Sequence, residues 1–176
     1  MEFYEKTLNE QSIYKGKIIN VVKQQVKLPN GKESMREIVK HSGAVAVLTY
    51  KDENTLIFVK QFRKPIDMEI LEIPAGKIEE GEDKRTCAER ELEEETGYRA
   101  KKLEYLGKIV TSPGFTDEYI YMYKATELYK GQDGLKDEDE FINLMEIDKK
   151  KLKSLIKDGK IIDAKSISAI MFDYLI

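Results

Sequence analysis

Glutamates crowd two neighbouring stretches, Gly76-Lys77-Ile78-Glu79-Glu80-Gly81-Glu82 and Arg90-Glu91-Leu92-Glu93-Glu94-Glu95-Thr96-Gly97. Residues 83–96 hold neither Gly nor Pro and many good helix formers, and Gly97 is a helix-ending residue. On a helix turning about 100° per residue, Arg90, Glu91, Glu94 and Glu95 fall within an arc of roughly 140°. Ala88, Leu92 and Thr96 take the adjacent arc, which is expected to face a core. Glu91 and Glu95 are four apart and Glu91 and Glu94 three apart, so their carboxylates meet on one face. Like charges at that spacing cost a bare helix a few tenths of a kcal/mol, about 0.2–0.5 per pair. A divalent cation reverses the sign, because hard cations take carboxylate oxygens. The chemistry this suits is attack on an anionic diphosphate: Mg²⁺ neutralises the charge, polarises the phosphoryl group and generates hydroxide from water. For the helix alone the alternative is a solvated acidic face screened by Arg90. Glu89 and Glu93, on the far side, are read as solvated. His41 is the only histidine, so no Ser-His or Cys-His nucleophile is available. It is read as structural or on the surface, and Cys87 as a small packing residue.

The elements that must position this helix mix strands and helices without a regular βαβ alternation. Residues 18–28 read as a strand, Pro29-Asn30-Gly31 as a turn and 33–39 as the second arm of a hairpin. Together they predict a small N-terminal β lobe over 1–42, with the main domain over 43–176. The continuous apolar run 44–48 reads as a buried strand, followed by strands at 56–59 and 70–73, the last stopped by Pro74. Residues 103–110 and 119–125 read as strands flanking Thr111-Ser112-Pro113-Gly114. An acidic loop at 136–140 precedes another apolar run at 141–147. Helices are expected at 148–157 and 164–175, the second with Ile167, Ile170, Met171 and Tyr174 on one stripe. The fold class is α+β, an α/β/α sandwich around a mixed sheet.

Composition bounds the partners. The 176 residues are 41% hydrophobic and 36% charged, a globular balance. The net charge of −3, from 30 basic and 33 acidic residues, shows no basic excess that asks for nucleic acid. No stretch approaches the ~20 apolar residues that span a bilayer, and the first residues lack the apolar run of a signal peptide. The single cysteine permits no internal disulfide. The expectation is a cytoplasmic protein with neither membrane nor nucleic-acid partner.

Gly76, Glu82, Arg90, Glu91, Leu92, Glu94, Glu95 and Gly97 stand at the spacing of the Nudix box: Gly, five residues, Glu, seven residues, Arg-Glu-apolar, one residue, Glu-Glu, one residue, Gly-apolar. Seven fixed residues at ~10% usage coincide on the order of once in 10⁷ registers, which favours the box over a solvated acidic face. The sequence therefore resembles the Nudix hydrolase superfamily; Tyr98 at the last apolar position is a departure that touches packing. The resemblance implies a Nudix fold, with a loop-helix-loop on a mixed sheet. It implies Glu91 and Glu95 as principal metal ligands, joined by the backbone carbonyl of Ala75, and Glu94 as a further ligand or helper. Glu82 and Arg90 are implied to orient the carboxylates, and Gly76 and Gly97 to allow backbone conformations a Cβ resists. Two or more Mg²⁺ ions are expected, with Mn²⁺ as a substitute.

Over nearly the whole chain the sequence resembles bacterial ADP-ribose pyrophosphatases. The matching pieces include Leu28-Pro29-Asn30-Gly31, Arg36-Glu37-Ile38-Val39-Lys40-His41, Val59-Lys60-Gln61-Phe62-Arg63-Lys64-Pro65, Glu72-Ile73-Pro74-Ala75-Gly76, Ser112-Pro113-Gly114-Phe115-Thr116-Asp117-Glu118 and Asp137-Glu138-Asp139-Glu140. Pro113, 16 residues after Gly97, sits where the superfamily associates a proline with ADP-ribose. The resemblance implies hydrolysis of ADP-ribose to AMP and ribose 5-phosphate. It implies Glu138 as general base and Glu140 as an extra metal ligand, with Asp137 and Asp139 as rivals within the loop. Arg36 and Arg63 are implied to contact the diphosphate or ribose, with surface ion pairing the alternative. Glu118 is a candidate for the ribose, and Phe62 for adenine stacking or core packing. A homodimer is implied, with the N-terminal lobe helping to build the partner's site. The alternatives are another nucleoside diphosphate derivative, a nucleotide sugar or dinucleotide, or a non-catalytic module that binds ADP-ribose.

Overall fold

The computed structural model describes residues 3–131 and 141–175. The chain divides into two compact units, Met1–Gly43 with Val110–Tyr119 and Ala44–Ile109 with Ile120–Ile176.

The first unit is a three-stranded antiparallel sheet in the order β1 (Lys6–Lys15), β2 (Asn20–Lys27), β3 (Glu33–Lys40). The hairpin read from the sequence is its β2–β3 half, paired from Asn20↔Lys40 to Lys27↔Glu33. The turn closes with the Leu28 N–H donating to Lys32 O at 2.7 Å and the Gly31 N–H to Leu28 O at 2.9 Å. β1 is an addition: all ten of its residues are exposed, so it carries no apolar alternation by which a sequence pattern reveals a strand. The segment around Pro113 is stitched to β3. The Val39 N–H donates to Phe115 O at 2.7 Å, and Lys40 pairs with Asp117 at 3.0 Å.

The second unit is built on a mixed sheet. β4 (Ala44–Tyr50), β5 (Thr55–Arg63), β8 (Tyr98–Val110), β9 (Tyr119–Lys130) and β10 (Asn143–Asp148) lie in the order β10-β5-β4-β9-β8. β6 (Met68–Glu72) pairs with β5, and β7 (Ala75–Lys77) with β4. The β4–β9 pair is parallel, while β5 and β7 run antiparallel to β4. The alternation along β4 makes two cores, since successive strand side chains point to opposite faces. Ala46, Leu48 and Tyr50 pack with Leu152 of α2 (Leu152–Lys157) and with Ala169 and Ile170 of α3 (Ala164–Leu175). Val45 and Val47 pack with Cys87, Ala88 and Leu92 of α1 (Lys84–Thr96). Leu48 and Leu92 are each 1% exposed, a burial worth about 2 kcal/mol apiece. Helices on both faces of a mixed sheet give the α/β/α sandwich of the Nudix fold.

The β4–β5 pairing is confined to Thr49↔Ile57 and Tyr50↔Leu56. Beyond it β5 pairs with β6, from Val59↔Glu72 to Arg63↔Met68, and β4 pairs with β7, from Ala44↔Lys77 to Ala46↔Ala75. The chain from Glu72 to Gly76 thus runs between two strands that have parted, and the Val47 N–H donates to Pro74 O there at 2.8 Å.

On the α3 side, Asp173 is 5% exposed in its side chain and accepts from Tyr50 Oη at 2.6 Å and Lys124 Nζ at 2.5 Å. Burial pushes its carboxyl up, but the bonds from Lys124 and Tyr50 outweigh burial and hold it below the ordinary range. A depressed carboxylate contributes stability above its unfolded value, near pH 4, and loses it as pH falls through the folded value. We expect Asp173→Asn to lower stability at pH 7 by about 2 kcal/mol, with the gap to wild type closing as the pH drops below about 4. Urea melts across that range check it; equal midpoints at pH 7 would remove this network from the account.

Candidate active site

Helix α1 starts and stops on side-chain and backbone chemistry that its sequence supplies. The Asp83 carboxylate accepts from the N–H groups of Arg85 and Thr86, capping the first turn. At the other end Gly97 adopts φ 70°, and its N–H donates to Glu93 O at 2.8 Å, the left-handed stop that favours glycine.

Between those ends Arg90 gathers three carboxylates. Its Nε and Nη2 donate to the two oxygens of Glu82 at 2.9 and 3.0 Å, a bidentate fork. Its Nη1 donates to Glu91 Oε1 at 2.7 Å and to Glu94 Oε2 at 2.8 Å. Nη2 also reaches Lys77 O at 3.3 Å, which ties the helix to β7. The Arg90 guanidinium holds the Glu82 carboxyl down to about 2. Glu95, 4% exposed, accepts from the Ala75 N–H at 3.0 Å. Gly76 supplies the remaining space: a Cβ there would stand 1.9 Å from the Glu91 carboxyl carbon. The structure thus brings Ala75, Gly76, Glu82, Arg90, Glu91, Glu94 and Glu95 into one neighbourhood.

Glu93 corrects the sequence reading. Glu89 is exposed and paired with Arg85 at 3.1 Å, but Glu93 is 6% exposed, with its carboxylate 2.7 Å from Arg99 Nε. Gly131, just past β9, lies over it: its N–H donates to Gly97 O at 3.0 Å, and a Cβ would meet Glu93 Oε1 at 2.6 Å. The helical wheel records the direction a residue faces, not a strand end that folds over it.

Arg63, the last residue of β5, makes a second fork. Its Nε and Nη2 donate to the oxygens of Glu72 at 2.7 and 2.8 Å, while two-fifths of its side chain stays exposed. Glu72 is 1% exposed and also takes a bond from Lys165 Nζ. Burial pushes the Glu72 carboxyl up, but Arg63 and Lys165 outweigh it and hold it below the ordinary range. The sequence reading did not single out the pairing of Glu72 with Arg63 and Lys165; its signal is an acid inside the apolar stretch Ile70-Leu71-Glu72-Ile73, since buried charges need partners. Phe62 is 53% exposed, which disposes of core packing, and the strand pleat turns it to the opposite face from Arg63.

Arg36, Pro113 and Glu118 belong to the first unit. Arg36 forks onto Glu5 at 2.6 and 2.9 Å and lines an open cleft of about 720 Å³ with Met35, Lys40, Pro113 and Phe115. Glu118 accepts from Thr111 Oγ1 at 2.8 Å. His41 Nδ1 accepts from the Gly43 N–H at 3.0 Å and lies 3.5 Å from Glu118. Glu138 and Glu140, with Asp137 and Asp139, lie outside the described residues.

Against known families, the NUDIX domain matches residues 40–168. The chain belongs to the NUDIX family. Residues 5–39 match a second family, the nucleoside diphosphate sugar hydrolase N-terminal domain. An ADP-ribose pyrophosphatase of Bacillus subtilis is 49% identical, over 96% of this chain and 91% of the relative. A methanol dehydrogenase activator of Bacillus methanolicus is 46% identical, over 97% and 92%. A solved ADP compounds hydrolase superposes with a TM-score of 0.84 at 22% identity, over 97% of this chain and 92% of that one, a likeness of fold.

NUDIX enzymes generally need divalent metal ions, and the donor set fits one. Every side-chain donor is a carboxylate oxygen, the choice of hard cations. Three carboxylates bond one guanidinium, with Glu95 on the same helix besides, and two like charges 4 Å apart repel by about 4 kcal/mol at an effective dielectric near 20. Among the described residues no three carboxylates converge as a ready-made cage: Arg90 spreads them around itself. Glu91, Glu94 and Glu95 are the side chains that would hold the ion.

The fit of Gly76 is directly testable. Because the obstructing atoms are the end of a flexible side chain, Gly76→Ala is expected to cost under about 1 kcal/mol of stability while pushing the Glu91 carboxylate off Arg90 Nη1. A crystal structure of the variant checks this; Glu91 still bonded to Arg90 beside the new Cβ would contradict it.

Proposed function

We propose that this protein hydrolyses the pyrophosphate bond of ADP-ribose, giving AMP and ribose 5-phosphate, with Mg²⁺ as cofactor in two or more ions and Mn²⁺ as a substitute. The observation that carries the reading is the Arg90-centred carboxylate group beside Gly76, in a chain 49% identical to an ADP-ribose pyrophosphatase over nearly its whole length. When bound, the cations neutralise the diphosphate and acidify the attacking water. Glu91, Glu95 and the Ala75 carbonyl hold them, and Glu94 assists. Arg90 and Glu82 keep the carboxylates in place. Arg63 turns its exposed edge to the diphosphate, as Arg suits phosphate oxygens. Arg36 and Glu118 take part in holding the nucleoside diphosphate, and Glu138 accepts the water's proton. A water oxygen forms the new bond to phosphorus, the bridging P–O bond breaks, and the leaving phosphate carries its sugar away.

A nucleotide sugar in place of ADP-ribose is favoured by the match of residues 5–39 to the nucleoside diphosphate sugar hydrolase N-terminal domain. An activating role on another enzyme is favoured by the Bacillus methanolicus relative. Chromatographic measurement of the nucleoside monophosphate formed from a panel of ADP-ribose, nucleotide sugars and dinucleotides, with Mg²⁺ and with chelator, separates the substrates. ADP-ribose should lead, and turnover should vanish with chelator. No turnover of any member sinks the enzymatic reading.

In the same assay Glu91→Gln and Glu95→Gln should each cost about two orders of magnitude or more in kcat with the melting temperature kept, since an amide keeps the shape and loses the anionic ligand. Glu138→Gln should lower kcat more than it raises KM. Glu89→Gln serves as the silent control, the place that buried Glu93 cannot fill. A Glu95→Gln variant near the wild-type rate would overturn the ligand assignment.

The protein acts as a homodimer in this proposal, in the cytoplasm, where a sole cysteine that can form no internal disulfide is at home. No helix among the described residues is long and apolar enough to cross a membrane. The support for the dimer is β1: among the described residues it pairs only with β2, its residues are exposed, and Leu8, Ile13 and Tyr14 are among them, an open edge that proteins cover. Arg36 of one chain then serves substrate held by the other. Mixing Arg36→Ala with Glu95→Gln chains should regain activity that neither homodimer has. A monomer at micromolar concentration by light scattering excludes the dimer, and a dimer without complementation excludes the shared site.

A further inference from the structure

Lys165 lies in the first turn of α3, 93 positions from the carboxylate it bonds. Its side chain is 11% exposed, and its ammonium sits between Glu72 and Asp163, 3.1 Å from Asp163 Oδ1. Asp163 caps the helix, its Oδ2 accepting from the Ser166 N–H at 3.0 Å and from Ser166 Oγ at 2.5 Å. Ser166 Oγ in turn accepts from the Ile73 N–H at 2.9 Å. The start of α3 therefore grips the chain twice, at the Glu72 carboxylate and at the Ile73 amide. Two residues later the Ala75 N–H bonds Glu95. The other side of Glu72 is the Arg63 fork.

A carboxylate held only by Arg63 could rotate with it. Bonded on Oε2 by Lys165 as well, it has a fixed plane, and a bidentate partner must lie in that plane. Arg63 then presents its exposed edge in one orientation without ordering cost when an anion arrives. We infer that Lys165 is a positioning residue for the diphosphate site, acting through Glu72 to orient Arg63. This rests on the reading of Arg63 as a diphosphate contact.

The test is a double-mutant cycle read by calorimetric titration of ADP-ribose into the metal-free chain, where no turnover intrudes, with steady-state kinetics beside it. Lys165→Met should weaken ADP-ribose binding about tenfold, the size typical of residues behind a ligand-contacting group, and should raise KM more than it lowers kcat. Arg63→Ala should weaken binding by at least as much. In the Arg63→Ala background, Lys165→Met should then add less than about twofold, because coupled residues are not additive. Thermal melts of all four chains report folding separately. Wild-type affinity in Lys165→Met, or an equal loss in both backgrounds, overturns the inference even if the enzyme hydrolyses ADP-ribose as proposed. A wild-type chain that binds the ligand with the expected coupling but never hydrolyses it overturns the functional reading and leaves Lys165 in its role. A chain that neither binds nor hydrolyses it overturns both.

Discussion

Three carboxylates share one guanidinium beside Gly76, and much of the second unit is arranged to let them. Arg90 reaches Glu82 on the loop before the helix and Glu91 and Glu94 on the helix itself, so one side chain ties loop to helix. The helix can present that face only because its other face is filled by Cys87, Ala88 and Leu92 against Val45 and Val47. The Glu91 carboxylate can lie against β7 only because residue 76 has no Cβ. The arrangement remains over-supplied with negative charge, the state in which a divalent cation gains most from binding.

The opposite helical layer contributes through a single thread of chain. β4 and β5 part after two paired positions, and the stretch from Glu72 to Gly76 enters the gap. One end of that stretch is gripped by Lys165 and Ser166 at the start of α3, and the other bonds Glu95 of α1. A buried carboxylate such as Glu72 is expensive unless paired, and here its two cationic partners come from β5 and α3. A buried charge therefore helps register the two helical layers on the same few backbone atoms.

The legible parts of this molecule were those with local rules. Asp83 and Gly97 bound α1 by capping chemistry visible within a few residues. The runs at 44–48 and 56–59 declared themselves as buried strands, and the mixed order of elements pointed to the layered fold. β1 was invisible because its ten residues are exposed and polar residues dominate it; its pairing with β2 is a matter of backbone hydrogen bonds. Glu93 was misplaced because Gly131, far along the chain, folds over it. Glu72 and Lys165 are 93 residues apart, and no spacing rule reaches that far. Phe62 and Arg63, quoted as one motif, face opposite ways for the plain reason that strands alternate.

The central claim is that Glu91, Glu94 and Glu95, on the helix that carries Arg90, form a divalent-cation site. The most direct measurement is equilibrium Mn²⁺ binding to the substrate-free protein, followed by electron paramagnetic resonance, on the wild-type and Glu95→Gln chains. The account predicts saturable binding in the wild type that weakens about tenfold or more in Glu95→Gln. Equal binding by the two chains, or a wild-type chain that binds no Mn²⁺ at millimolar concentrations, would contradict it.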